Sequence, residues 1–173
     1  WVLIAQFLGN LGKYVIITSS YRGEMNSELP PITLKPIGVV RNEVKESPSG
    51  GRDWWSEAMS EIVIDGSLTE ALDGLEQFSH IIVLFWIHRI TGSEIPLRIH
   101  PMRRQELPLT GLLATRTPNR PNRIGVTIVR LLERQGNTLK VKGLDALDGS
   151  PVLDIKPYIP RADLISNAKV PKW

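Results

Sequence analysis

The chain has 173 residues, 42% hydrophobic and 23% charged, with a formal net charge of +3 and no cysteine. That length supports one domain with a sizeable core, and the composition is that of a folded globular protein. The absence of cysteine excludes disulfides, thiolate metal sites and a cysteine nucleophile, and suits a reducing, cytoplasmic setting. His80, His88 and His100 show no short-spaced zinc-binding pair, so no metal is expected.

Residues 1–20 are apolar but interrupted by Gly9, Gly12 and Lys13. They fall short of the roughly 20 apolar residues of a membrane span and lack the charged start of a secretory signal, so no membrane partner is expected. Met25 follows Tyr-Arg-Gly-Glu, a tripeptide-plus-one that a purine-rich, ribosome-binding-like stretch can encode. The expected organisation is therefore a non-native or upstream extension over 1–24 and a single domain over 25–173.

From there the chain reads mainly as strands. Residues 33–41 form a first strand, with Pro36 and Gly38 marking an edge or a bulge. Glu46 to Asp53 is a loop, followed by Trp54 and Trp55, and Ser60–Asp65 alternates as a strand does. Leu68, Ala71, Leu72 and Leu75 have helical spacing, which predicts a short helix within 68–78. His80–His88 is an apolar run bounded by two histidines, and its β-branched and aromatic content predicts a strand buried on both faces. Residues 92–108 form an irregular excursion containing Pro96, Pro101 and Pro108. Strands are expected again over 109–115 and 124–133, a tight turn at Gln135–Thr138 leads into Leu139–Gly143, and Val152–Ile155 is a last short strand. Helix is scarce, and neither G-x-G-x-x-G nor G-x-x-x-x-G-K-[ST] occurs, so the strand pattern suggests an antiparallel barrel or a strongly coiled sheet; the fold expected is a compact antiparallel β-barrel with a short helix and long loops, not a Rossmann fold.

Positive charge gathers in the middle of the chain. Arg98, Arg103, Arg104, Arg116, Arg120, Arg123, Arg130 and Arg134 lie within 98–134, against Glu106 and Glu133. Inside that stretch, Ala114-Thr-Arg-Thr-Pro-Asn-Arg-Pro-Asn-Arg-Ile-Gly-Val126 is the most informative segment. Pro118 and Pro121 cannot donate to a ladder and push Thr117 and Arg120 toward extended geometry. The result is a stiff loop that holds guanidinium and amide groups ready for carboxylates, phosphates or base edges. The same residues equally suit a rigid surface loop with solvated arginines. His88 and Arg89 end the apolar strand, either as a ligand contact or as a plain polar strand end. Asp145, Asp148 and Asp154 are capable of accepting ribose hydroxyls or an amine proton, or of capping their own turns. Trp54 and Trp55 offer a stacking surface, although adjacent residues in an extended segment face opposite ways.

Taken in order, Trp-Ile-His-Arg89, the arginine–proline loop and Leu144-Asp-Ala-Leu-Asp-Gly-Ser-Pro-Val-Leu-Asp-Ile-Lys-Pro-Tyr158 resemble the TsaA-like family. Ile37-Gly-Val-Val-Arg41 and Leu75-Glu-Gln-Phe-Ser-His80 also fit, so the resemblance covers roughly 34–160. Its characterised branch, TrmO, is a tRNA (adenine-N6)-methyltransferase. The resemblance implies a homodimeric β-barrel that binds S-adenosyl-L-methionine and methylates N6 of threonylcarbamoyl-adenosine at tRNA position 37. It carries cofactor contacts onto Arg52, Asp53, Trp54, His88, Arg89, Arg116, Val126, Pro151, Val152, Leu153 and Asp154. His88 and Asp154 are the candidate proton acceptors, and Arg120, Asn122 and Arg123 the candidate tRNA contacts. The loop Ser49-Gly-Gly-Arg-Asp-Trp-Trp55 departs from the Pro-Arg-Gln type of many members, and the further C-terminal domain found in some members is not expected here. Two rival readings stand beside this one: an RNA-binding barrel without catalysis, and a methyltransferase of the same fold with another substrate.

Overall fold

The computed structural model describes residues 15–17, 32–46, 55–90 and 94–172. The expectations for residues 1–24 and for Arg52, Asp53 and Trp54 lie outside the described residues, apart from β1 (Val15–Ile17), which pairs antiparallel with β2 (Ile32–Leu34). The first predicted strand is in fact two. The chain runs through β2, breaks at Pro36, and resumes as β3 (Gly38–Arg41). Proline has no N–H to give a ladder, which accounts for the break.

Next come β4 (Met59–Ile64), β5 (His80–Trp86), the short β6 (Arg98–Ile99) and β7 (Thr110–Gly111), then β8 (Ile124–Gln135), β9 (Thr138–Lys142) and β10 (Pro151–Pro157). Six of them close into an antiparallel barrel in the order β10-β3-β4-β9-β8-β5, while β6 and β7 form a separate two-stranded ribbon. The mainly β, non-Rossmann barrel is what the strand pattern called for.

Alternation explains the closure. Ile62 and Ile64 on β4, Ile81, Val83 and Phe85 on β5, Val129 and Leu131 on β8, Leu139 and Val141 on β9 and Val152 on β10 all point into one buried cluster. Each such side chain stabilises the fold by about 1.5–3 kcal/mol relative to exposure. Gly136 sits at φ 59° between paired Gln135 and Thr138, the left-handed position that a tight hairpin turn favours.

One end of the barrel is capped and the other left open. Residues 66–72 and 75–77 form two 3-10 turns rather than the single helix predicted, because Gly74 takes φ 85° between them. Leu72 is buried in the core, and Arg134 on β8 ties the cap down through Asp73 (2.8 Å), Glu76 (3.3 Å) and the Thr69 carbonyl (3.2 Å). The expected strand over 109–115 shrinks to β7 and a 3-10 turn at Leu112–Ala114. A further correction concerns β5. Its inward residues are fully enclosed, but Ile82, Leu84 and Trp86 on the outer face are only half-buried.

Candidate functional site

The open end of the barrel gathers the C-terminal end of β5, the N-terminal ends of β8 and β10, and the turn 143–150 that enters β10. His88 and Arg89 occupy a turn just beyond β5. Arg123 clamps that turn from both sides: its carbonyl accepts from the Ile87 N–H at 2.8 Å, and its guanidinium donates to the Ile90 carbonyl. Arg123 is itself buried. Arg120 is half-buried and donates to the Thr115 carbonyl at 2.6 Å. Arg120 and Arg123, two of the candidate tRNA contacts, thus each give a guanidinium donor to a backbone carbonyl, Thr115 and Ile90 respectively. Asn122 is exposed, and its carbonyl accepts from the Ile124 N–H at 2.8 Å.

His88 Nδ1 lies 3.2 Å from Ser150 Oγ, and Arg89 Nε donates to His88 Nε2 over a long 3.4 Å. With Nε2 accepting, the proton belongs on Nδ1 and points at Ser150. Partial burial holds the imidazole pKa below its ordinary value, the Arg89 charge lowers it further, and Asp148 pulls the other way. The result is a neutral imidazole near pH 7.

The turn 143–150 brings in two more carboxylates. Asp148 Oδ1 accepts from the Asn42 N–H at 3.2 Å, while the Asn42 side chain donates to Ser60 Oγ (3.0 Å) and the Ala146 carbonyl (2.9 Å). Gly149, at φ 79°, lets the chain reverse between Asp148 and Ser150, and a side chain there would come within 3.8 Å of His88 Nε2. Asp145 is open to solvent between buried Leu144 and Ala146, yet the surrounding protein crowds its carboxyl and raises its pKa, with Arg116 opposing. Arg116 is exposed and donates to the Val126 carbonyl at 2.9 Å. Two residues ten apart in sequence, both carried over from the resemblance, thus meet.

Asp154 reaches the same outer face by a bulge. Val152 is opposite Phe85 but Asp154 is opposite Leu84, so Leu153 is the extra residue. Strict alternation from buried Val152 would turn Asp154 inward; the bulge rotates it out, into one cross-strand row with Leu84 and Val126. There it pairs with Lys156 at 2.6 Å. Val152 has its side chain in the core and its carbonyl occupied by the Ile37 N–H at 2.8 Å, while Pro151 and Leu153 are half-buried beside it. The site therefore has two parts: His88, Arg89, Asp148 and Ser150 at the rim, and Arg116, Val126, Asp145 and Asp154 beside them. No hydrogen bond joins His88 to Asp154. Asn42 is the residue that sequence reading missed, since a lone asparagine after a strand carries no signal of its burial partners.

Residues 41–164 match the family described as tRNA-methyltransferase O N-terminal domain. The chain belongs to this family. It is 45% identical over 137 residues to an S-adenosyl-L-methionine-binding protein of Archaeoglobus fulgidus, covering 78% of this chain and 94% of that one. It is 41% identical over 101 residues to the human tRNA (adenine(37)-N6)-methyltransferase, covering 58% of this chain and 23% of that one. Among solved structures, TrmO from Pseudomonas aeruginosa superposes with a TM-score of 0.68 at 35% identity, covering 84% of this chain and 63% of that one. This chain also spans only 37% of a longer Archaeoglobus fulgidus relative.

Proposed function

We propose that the protein transfers a methyl group from S-adenosyl-L-methionine to N6 of threonylcarbamoyl-adenosine at position 37 of tRNA. The observation that carries this reading is a pair of clusters in a family barrel, Arg116 with Val126 and Asp145, and His88 with Asp148, with Asp145 and Asp148 on one turn. The groups fit the cofactor by chemistry. Arg116 keeps N–H donors beyond the one given to Val126, enough for a carboxylate; Asp145 and Asp154 suit hydroxyl and amino groups; Leu84 and Val126 offer an apolar surface for a purine. The relatives' names, S-adenosyl-L-methionine-binding protein and tRNA (adenine(37)-N6)-methyltransferase, support it.

When bound, the cofactor supplies an electrophilic methyl group. The protein's part is to position and to move one proton. The acceptor nitrogen is a weak nucleophile that must lose a proton as it is methylated. A neutral His88, its Nδ1–H held toward Ser150, has the Nε2 lone pair to take that proton once Arg89 swings from its long contact. Asp154 is the alternative acceptor on the outer face. Further along the same wall, Ile128 and Leu132 on β8, open to solvent, and half-buried Ile82 on β5 support pairing with a second copy of the chain. The setting proposed is cytoplasmic.

The test is incubation with labelled S-adenosyl-L-methionine and total tRNA, followed by digestion and mapping of the label. Label on N6 of threonylcarbamoyl-adenosine supports the reading. Label on another nucleoside replaces the substrate, and tight tRNA binding with neither methyl transfer nor cofactor affinity replaces catalysis by RNA binding.

A further inference from the structure

Between Arg89 and Arg116, residues 94–115 form an arm that lies, along the chain, between these two site residues. It leaves just after the His88–Arg89 turn and returns through Leu112–Ala114 to Arg116, with the Leu112 N–H donating to the Leu97 carbonyl at 2.9 Å across its base. Above that base β6 pairs with β7, Arg98 braces the Leu109 carbonyl at 3.0 Å, and His100 Nδ1 donates to the Leu107 carbonyl at 2.7 Å. The tip is unusual. Met102 and Arg103 both take left-handed backbone, at φ 55° and 58°, where non-glycine residues are strained. The strain presents an exposed Arg103 whose guanidinium has no hydrogen bond or ion pair among the described residues, next to an exposed Arg104. Among the described residues the Arg104 guanidinium is held only by Glu106 at 2.6 Å, an exposed pair of small net strength. Glu106 is the one acidic residue of the segment 97–113.

We propose that this arm is an RNA-backbone clamp, in which Arg103 and Arg104 bind phosphates flanking the nucleotide whose base enters the site at the arm's root. The inference rests on the tRNA reading and adds to it a surface that grips the substrate beyond the reacting base. Phosphate contacts position a nucleic acid without reading its sequence, which matches a pair of exposed guanidiniums at a stiff turn.

The experiment is tRNA binding by the full chain, without methyl donor, over a range of salt concentrations. Arg103→Gly is the informative variant, because glycine relieves the left-handed strain while removing the charge. Its melting temperature should equal or exceed that of the unchanged protein even as tRNA binding weakens, so misfolding does not imitate the expected result. Each arginine lost, in Arg103→Gly and in Arg104→Gln, should lower the slope of log affinity against log salt by about 0.7–0.9. Arg103→Lys should restore the slope, and S-adenosyl-L-methionine affinity should stay the same throughout. An unchanged slope in the double variant overturns the clamp while leaving the methyl-transfer reading intact. A lowered slope in a protein that methylates no tRNA upholds the clamp and sinks that reading instead. A change in oligomeric mass with tRNA binding unaltered would mean that the arm seats on protein, and would overturn the proposal.

Discussion

A neutral imidazole at a rim that also carries Arg89 and Arg116 sets the acid side of the pH behaviour. The folded-state pKa of His88 is lowered from about 6.5, mainly by burial, so the unfolded chain binds the extra proton first. Stability should therefore decline as pH falls from about 6.5 toward the folded pKa, and His88→Gln should flatten that part of the profile in urea melts taken at several pH values. Methyl transfer should likewise persist below the ordinary histidine range before it falls. Gly149→Ala tests the neighbouring turn: a side chain at φ 79° costs roughly 1–2 kcal/mol, while its Cβ meets His88 Nε2 at an ordinary 3.8 Å, so the melting temperature should drop. Arg123→Ala removes a buried guanidinium from the Ile90 carbonyl and should destabilise by about 1.5–3 kcal/mol in chemical unfolding. The arginine–proline loop was legible in the sequence as a rigid holder of guanidiniums. Which guanidiniums turn inward was not, because that depends on carbonyls at Ile90 and Thr115 whose nearness is a tertiary fact.

Strand periodicity located β5, β8, β9 and β10 to within a residue or three, since each has an inward side that must be apolar. It misjudged the elements whose geometry is decided by backbone rather than by pattern. Leu68, Ala71, Leu72 and Leu75 have helical spacing, yet Gly74 in the left-handed region divides the segment into two turns. On β10 the alternation slips at Leu153, and no property of leucine announces a bulge; the side taken by Asp154 was readable only from the register against Leu84. Two changes probe how tightly these elements fit. The β5–β8 seam leaves no room over Gly125, where a side chain would overlap the Phe85 ring, so Gly125→Ala should cost about 1–3 kcal/mol by overpacking. At the capped end, Arg134→Lys should lower the melting temperature less than Arg134→Ala, because an ammonium keeps the charge but loses the fork that reaches Asp73, Glu76 and Thr69 together.

At the scale of the molecule, the outer faces of β5 and β8 are more apolar than a solvent-facing barrel wall requires. Light scattering should give about twice the chain mass of 19.4 kDa, and Ile128→Lys, at a position half open to water, should return it to the single-chain value without lowering the melting temperature of the barrel. The barrel itself was legible in the strand pattern, whereas the pairing of its first and last strands, which makes it closed, came only with the structure. Closure has a consequence for the arm. Trp86 pairs with Ile124, so everything from 87 to 123 is, to the barrel, the loop of one β-hairpin. The entropy of closing such a loop grows only logarithmically, each doubling in length costing about 0.6 kcal/mol. The folding of the barrel is thus nearly indifferent to how long the arm is or how its tip is shaped. Mutation can therefore lengthen, trim or rebuild the tip with little penalty in stability, while His88 and Arg116 at the arm's root stay tied to the sheet side through Ser150 and the Val126 carbonyl.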